Sequence, residues 1–393
     1  MNRIAIKMLV GDVAKYFGIL LGIGFAALLI TQQSSIFTGL MARSFAFISD
    51  TSLPDLWVTD PEVKYIDELE PMQSTALDRV RGVPGVAWAV PMYKALLRGR
   101  LPNGMFRSVI VVGLDDATLI GGPPKIIEGS LAELRRADGV ILDIVSARTR
   151  LASYSALDEH GNPAPGATLL PLRVGDTLQI NDRRAVVVGL CEVSRTFQSQ
   201  PMIYTTFSRA LTYAPPERKQ LSLILAKAAP GIDPETLGLR ITATTQLRAR
   251  TSWQFSWDTV LYYTKNTGIV INFGIAVALG FLVGVAIAGQ TFYNFTLDNL
   301  RYFGALKAMG ASNWLLLRMV LLQSLTAGTI GYGLGVGAAA LFGIEVKGSE
   351  LAFRMTWHIP AISAGAVAII CALSAIVSMI KVIRLEPAVV FRG

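Results

Sequence analysis

Four stretches of this 393-residue chain contain no Asp, Glu, Lys or Arg: Tyr16 to Ala42, Asn266 to Leu297, Met319 to Ile344 and Met355 to Ile380. Each is longer than the roughly 20 residues a helix needs to cross about 30 Å of hydrocarbon. Core helices of soluble proteins rarely reach such lengths, and four in one chain are rarer still. The composition agrees: mean hydropathy is +0.47, with 52% hydrophobic and only 16% charged residues, which is too apolar for an ordinary water-soluble chain. The sequence therefore predicts a membrane α-helical protein with four transmembrane helices and a large segment between the first and second.

A net charge of +8 raises the question of nucleic acid, and its placement answers it. From Arg43 to Lys265 there are 25 basic and 23 acidic residues. The rest of the excess flanks the spans. Arg3, Lys7 and Lys15 stand against Asp12; Arg301, Lys307 and Arg318 against Asp298; and Lys381, Arg384 and Arg392 against Glu386. Between the third and fourth spans Glu345, Lys347, Glu350 and Arg354 cancel. The positive-inside bias puts both termini and the middle loop in the cytoplasm and the long segment outside. No basic stripe interleaved with aromatics remains to bind nucleic acid. The first apolar run, with Ser44-Phe45-Ala46 after it, exceeds the 7 to 15 residues of a cleavable signal and reads as an uncleaved anchor.

These boundaries divide the chain into a cytoplasmic or interfacial helix (1–15), a first span (16–42), an outer α+β domain (43–265), a second span (266–292), a cytoplasmic coupling loop (293–318), a third span (319–344), a short outer loop (345–354), a fourth span (355–380) and a cytoplasmic tail (381–393). Near the N-terminus Ile6, Leu9, Val10 and Val13 fall opposite Arg3, Lys7 and Lys15. That pattern fits an interfacial helix or an extension of the first span. In the outer segment Leu77 to Val80 reads as helix, and Val86 to Leu97 and Phe106 to Leu114 as strands joined through Pro102-Asn103-Gly104. Gly139 to Ile144, Val174 to Leu178, Ala185 to Leu190 and Leu221 to Ala226 read as strands, with helices from Ser146 and Pro234. Asp158 to Gly166 is an exposed loop by its prolines and glycines. A polar helix through Trp253 and Trp257 leads to the second span, with Tyr262 and Tyr263 at the depth of an aromatic belt.

Catalytic and metal signatures find no support. The phosphate-binding Gly-x-x-x-x-Gly-Lys-[Ser/Thr] loop is absent, since no lysine precedes serine or threonine. Gly-x-Ser-x-Gly and His-Glu-x-x-His do not occur. Cys191 and Cys371 lie in different environments, and His160 and His358 have no ligand cluster around them. Asp115-Asp116 and Asp158-Glu159 read as solvated turns. No carboxylate stands within a span, which argues against an ion-coupled carrier. The polar residues Gln32, Gln33, Asn272 and Gln323 suit interhelical hydrogen bonds, interfacial depth or a relay. Glycines four apart, Gly18 and Gly22, Gly280 and Gly284, Gly331 and Gly335, and Gly333 and Gly337, allow close helix approach within the bundle or against a second copy.

The middle loop carries the most information. Leu300 to Met309 suits a short helix with Tyr302, Leu306 and Met309 on one stripe and Arg301 and Lys307 projecting away. Gly310 can end it in a left-handed conformation, and Ser312 can cap the helix that follows. Such a helix either docks a partner or rests on the headgroups.

Arg301 to Ser312, followed by the glycine-rich third span, resembles the cytoplasmic loop of MacB/FtsX-type ABC permeases. Leu77 to Leu114, with Val83-Pro84-Gly85-Val86, is similar to the start of that family's periplasmic core domain. Val174 to Leu178 and Val186-Val187-Val188-Gly189 resemble its later half, and Arg384-Leu385-Glu386-Pro387-Ala388 its tail. The four-span layout and Thr251 to Gly268 most resemble DevC-like members. The departures are the insertion around Asn162 to Gly166 and the pair Arg183-Arg184.

The resemblance implies a type VII permease of the bacterial inner membrane, non-catalytic itself and with no cofactor of its own. ATP and magnesium would be held by a separate ABC ATPase. It implies a docking set of Leu300, Arg301, Tyr302, Phe303, Leu306, Lys307 and Met309, and a homodimer or paired permease whose spans convey motion to a periplasmic domain. For DevC-like members it further implies a membrane-fusion adaptor and an outer-membrane duct. The expectation is an exporter subunit. The rivals are a regulator like FtsX, which moves an extracytoplasmic hydrolase without transport, and a stand-alone receptor.

Overall fold

A computed structural model describes residues 2–155, 164, 166–216 and 220–383. The exposed loop from Asp158, most of the Asn162 to Gly166 insertion, His160, Asp158-Glu159 and the tail from Arg384 lie outside the described residues. The chain divides into two compact units, residues 1–40 with 267–393, and residues 41–266.

In chain order the helices are α1 (Asn2–Gly11), α2 (Val13–Ser44), α3 (Ala46–Asp50), α4 (Thr75–Arg81), α5 (Ile144–Arg148), α6 (Phe207–Tyr213), α7 (Pro234–Thr245), α8 (Ser252–Asn266), α9 (Ile269–Asp298), α10 (Leu300–Ala308), α11 (Asn313–Glu345) and α12 (His358–Ile383). α2, α9, α11 and α12 are long and apolar enough to cross a membrane. They overrun the charge-free stretches at several ends. α9 continues to Asp298 and α11 begins at Asn313, because a helix keeps its backbone bonds through the polar interface after the hydrocarbon ends. The N-terminal segment forms its own helix: the chain bends at Asp12, whose carboxylate accepts from the Lys15 amide at 3.2 Å and caps the start of α2.

Glycines set how closely these helices approach. A Cβ on Gly335 would lie against the Gly24 carbonyl oxygen and 2.8 Å from the Ala27 Cβ, and one on Gly331 would lie 3.1 Å from the Leu20 oxygen. Gly22, Gly280 and Gly284 face Ile287, Leu29 and Ala26 in the same way, whereas Gly18 meets only Thr291 at 3.8 Å. These residues therefore pack the bundle within one chain. Gly333 and Gly337, with the same spacing, face open space. Polar side chains add bonds between spans: Ser324 Oγ donates to the Cys371 oxygen at 2.8 Å, and Tyr332 Oη to the Pro360 oxygen at 3.0 Å.

The strands of the second unit are β1 (Leu56–Thr59), β2 (Val86–Arg100), β3 (Phe106–Leu114), β4 (Lys125–Glu128), β5 (Gly139–Asp143), β6 (Ser153–Tyr154), β7 (Leu169–Leu170), β8 (Thr177–Ile180), β9 (Arg183–Glu192), β10 (Met202–Thr206), β11 (Leu223–Ala228) and β12 (Arg248–Thr251). A mixed sheet runs β12-β1-β11-β2-β3-β10-β5-β9-β4, with β8 joining β2 and β9. β2 is the shared strand. Its first half pairs with β11 through Met92↔Leu223, and its second half with β3 from Tyr93↔Gly113 onward. Helix ends follow local chemistry: Asp143 caps α5 by accepting from Val145 and Ser146, and Asp233 caps α7 ahead of Pro234. Of the adjacent carboxylates, Asp115 has a turn role, accepting from Thr118, whereas Asp116 reaches across the fold to accept from the amide and hydroxyl of Ser208 at the start of α6. The segment Val174 to Asp176 is turn, and the strand begins only at Thr177.

Where β2 changes partners it carries Lys94, whose ammonium bonds Asp67 at 2.8 Å and the Ile66 oxygen at 3.0 Å. Both side chains are 5% exposed. Tyr263 of α8 donates to the other Asp67 oxygen at 3.1 Å, and Tyr65 stacks on Tyr262 at 4.0 Å. Burial, followed by the Asp67 charge, pushes the Tyr263 hydroxyl far above its ordinary pKa, so it stays a donor. This network ties α8, the helix that leads in sequence to the second span, to the middle of the sheet.

Two outcomes follow from this packing. Gly335→Val should destabilise the detergent-solubilised protein by roughly 1–3 kcal/mol through overpacking, while Gly337→Val should shift it by no more than about 0.5 kcal/mol; equal thermal shifts would contradict the assigned faces. Lys94→Met should cost about 3–5 kcal/mol by leaving Asp67 buried and unpaired, and adding Asp67→Leu should recover much of it. Calorimetric unfolding reads both, and a loss under about 1 kcal/mol for the single variant would mean the pair is not desolvated.

Candidate coupling site

α10 opens at Asn299, whose side chain donates back to the Phe295 oxygen at 2.9 Å. It ends at Met309, and Gly310 at φ +92° turns the chain in the left-handed region that only glycine adopts cheaply. Ser312 Oγ then accepts from the Leu315 amide at 3.3 Å and starts α11. A nine-residue helix is marginal by itself, so its packing has to hold it.

Phe303 supplies that packing. It is fully buried, in a cluster with Ala5 of α1, Leu316, Met319 and Val320 of α11, and Ala375, Met379 and Val382 of α12. Leu306 lies half-buried against the same cluster. Two residues of the expected docking set turn toward the bundle. Phe303 anchors the helix and presents no outer surface. Lys307 does not project away, because its ammonium donates to the Ile383 oxygen near the end of α12 at 3.1 Å.

On the other side Tyr302 and Met309 are 63% and 76% exposed, and Arg301 is exposed. Leu300 is half-buried. Tyr302, Leu306 and Met309 line one groove of about 630 Å³, together with Ala305, Asp298 and Asn299. Its other wall is α1, through Lys7, Met8, Gly11 and Asp12. Two of the lining carboxylates are bridged by Lys15, which bonds Asp12 at 2.8 Å and also Asp298. α1 is held in place by Ala5 and Leu9, both buried, and by Gln323 of α11, which donates to the Ala5 oxygen at 2.8 Å. The role of α1 was not legible in the sequence, and the one signal was a polar Gln323 inside an apolar run.

Among the described residues no group of three His, Cys, Asp or Glu side chains is placed to hold a metal. Cys191 and Cys371 are both free and buried. His358 stacks on Trp357 at 3.7 Å at the start of α12. Arg183 and Arg184 stand exposed at the start of β9.

Residues 17–244 match the family model of the MacB-like periplasmic core domain, and residues 274–387 match that of the FtsX-like permease C-terminal region. No curated protein matches the sequence. Among solved structures, the periplasmic region of MacB from Actinobacillus actinomycetemcomitans aligns at 15% identity and TM-score 0.34, covering 56% of this chain and 96% of that one. The extracellular domain of the noncanonic ABC-type transporter YknZ from Gram-positive bacteria aligns at 9% and 0.33, covering 50% and 99%. A domain of a putative permease protein from Porphyromonas gingivalis aligns at 14% and 0.29, covering 50% and 84%. These structural scores are low, and the family assignment rests on the two sequence models. The four apolar helices, the large domain inserted after the first of them and the two matched regions make this chain a multi-pass membrane protein of the MacB/FtsX-type permease family.

Proposed function

We propose that this chain is the permease subunit of an ABC exporter and that it conveys motion from a separate ATPase to its outer domain. The observation that carries the reading is the two-sidedness of α10. Phe303 locks one side into the membrane bundle, while Tyr302 and Met309 leave large apolar side chains bare on the other. An aromatic and a thioether held out on a fixed helix have the chemistry of an interface anchor. Members of this family work with an ABC ATPase, and ATP and its magnesium belong to that partner. The ATPase can shift this subunit only if its nucleotide states bind α10 with different affinity.

The positive-inside bias supports cytoplasmic termini and an inner-membrane location, with the 41–266 unit in the periplasm. Two copies would act together. Near-complete coverage of the outer unit by the MacB-like model supports export through a membrane-fusion adaptor and an outer-membrane duct, the DevC-like arrangement. The FtsX-like match supports a regulator of an extracytoplasmic hydrolase that uses the same lever. Capture of an adaptor on the outer domain selects the first and capture of a cell-wall hydrolase the second.

Because Leu306 is partly buried, the clean test uses the exposed positions. Tyr302→Asp combined with Met309→Asp should weaken recovery of the ATPase on the tagged permease by about tenfold or more, the effect of losing roughly 1.4 kcal/mol, with unchanged thermal stability. Full recovery with normal export would remove α10 as the docking element.

A further inference from the structure

α1 presents three different faces. Ala5 and Leu9 are buried against the bundle. Ile6, Val10, Val13 and Phe17, spaced four, three and four apart, form an exposed apolar stripe that runs on into α2, as a helix lying at the lipid boundary requires. Lys7, Gly11 and Asp12, with Met8, which also packs against the bundle, line the groove opposite α10. The groove thus touches the chain just before the first span and just after the second. Those two spans are the ones that carry the outer domain, since residues 41–266 are inserted between them. Lys15, bonded to both Asp12 and Asp298, clips their cytoplasmic ends together.

We infer that α1 is the second wall of the ATPase's seat, and that a side-chain knob from the ATPase wedges between α1 and α10 to drive the first and second spans as a pair. This rests on the docking reading above and extends it from one helix to a two-walled cleft. The occupant follows from the lining. Met8, Ala305, Leu306, Tyr302 and Met309 make the cleft apolar, which calls for an apolar knob, and its charged margin of Lys7, Asp12 and Asp298 suits a polar rim around that knob. The exposed face of α10 runs into the cleft without a break through Tyr302 and Met309, so a partner gripping α10 reaches α1 as well. A lever on α10 alone would move the second and third spans; a wedge in the cleft moves the two attached to the load.

The test uses the full chain with its ATPase in nanodiscs. Gly11 lines the groove and has nothing within 4 Å of an added Cβ, so its backbone admits a side chain, and Gly11→Trp, which puts a bulky ring at the groove wall, should lower ATPase recovery about tenfold, or roughly 1.4 kcal/mol. A photo-crosslinker attached to Lys7→Cys, a change outside the bundle core, should capture the ATPase, and the yield should differ between ATP-bound and ADP-bound complexes. If Tyr302→Asp with Met309→Asp releases the ATPase while Gly11→Trp does not and position 7 captures only lipid, α10 docking stands and the two-walled seat is overturned. If none of the variants affects recovery and position 7 captures no ATPase, both readings fall.

Discussion

In hydrocarbon a peptide group that loses its hydrogen-bond partner cannot turn to water, so a span can move as a rod but cannot locally melt. Everything this protein can transmit across the bilayer is bound by that constraint. α2 and α9 are such rods, about 45 Å long or more at 1.5 Å per residue. They are laid tightly on their neighbours where Gly22, Gly280, Gly284, Gly331 and Gly335 remove the side chains that would hold the backbones apart. Close contact without a flexible interlayer is what the proposed lever needs, since it would let a displacement at one end of a rod arrive at the other.

Within the outer unit, different chemistry fixes the arrangement. The chain leaves the outer unit through α8, and Tyr263 of that helix is bonded to Asp67, whose partner Lys94 stands in the strand shared by both halves of the sheet. A buried ion pair adds little net stability, but it specifies one arrangement, because alternatives leave a charge without a partner. At the inner end, Phe303 in its cluster, Gln323 on the Ala5 carbonyl and Lys307 on the Ile383 carbonyl of α12 fix the two short helices that a partner would meet.

The spans and the large outer domain were readable because long charge-free runs and the bias of Lys and Arg are direct consequences of solvation. The strands β1 and β10 were not. Leu56–Thr59 and Met202–Thr206 are buried at every position, so they lack the alternation that marks a half-exposed strand. In the coupling helix, periodicity allowed two apolar sides, one with Phe303 and one with Tyr302 and Met309. Only the position of α11 and α12 decides which is inside. The two glycine pairs of α11 pose the same difficulty, for Gly331 and Gly335 are identical in spacing to Gly333 and Gly337 and face the opposite way. A sequence shows that a helix has faces; its neighbours determine their use.

In the proposed coupling, nucleotide at the partner moves the cytoplasmic ends of the first two spans. Spin labels at Ile6→Cys, exposed on α1, and at Ile380→Cys, exposed on α12 outside the moving pair, report that movement directly, since Cys191 and Cys371 are buried and escape labelling. In the reconstituted complex the distance distribution between them should shift between ADP-bound and ATP-trapped states. A distribution that stays the same in both states, with the ATPase bound and turning over, would contradict the account.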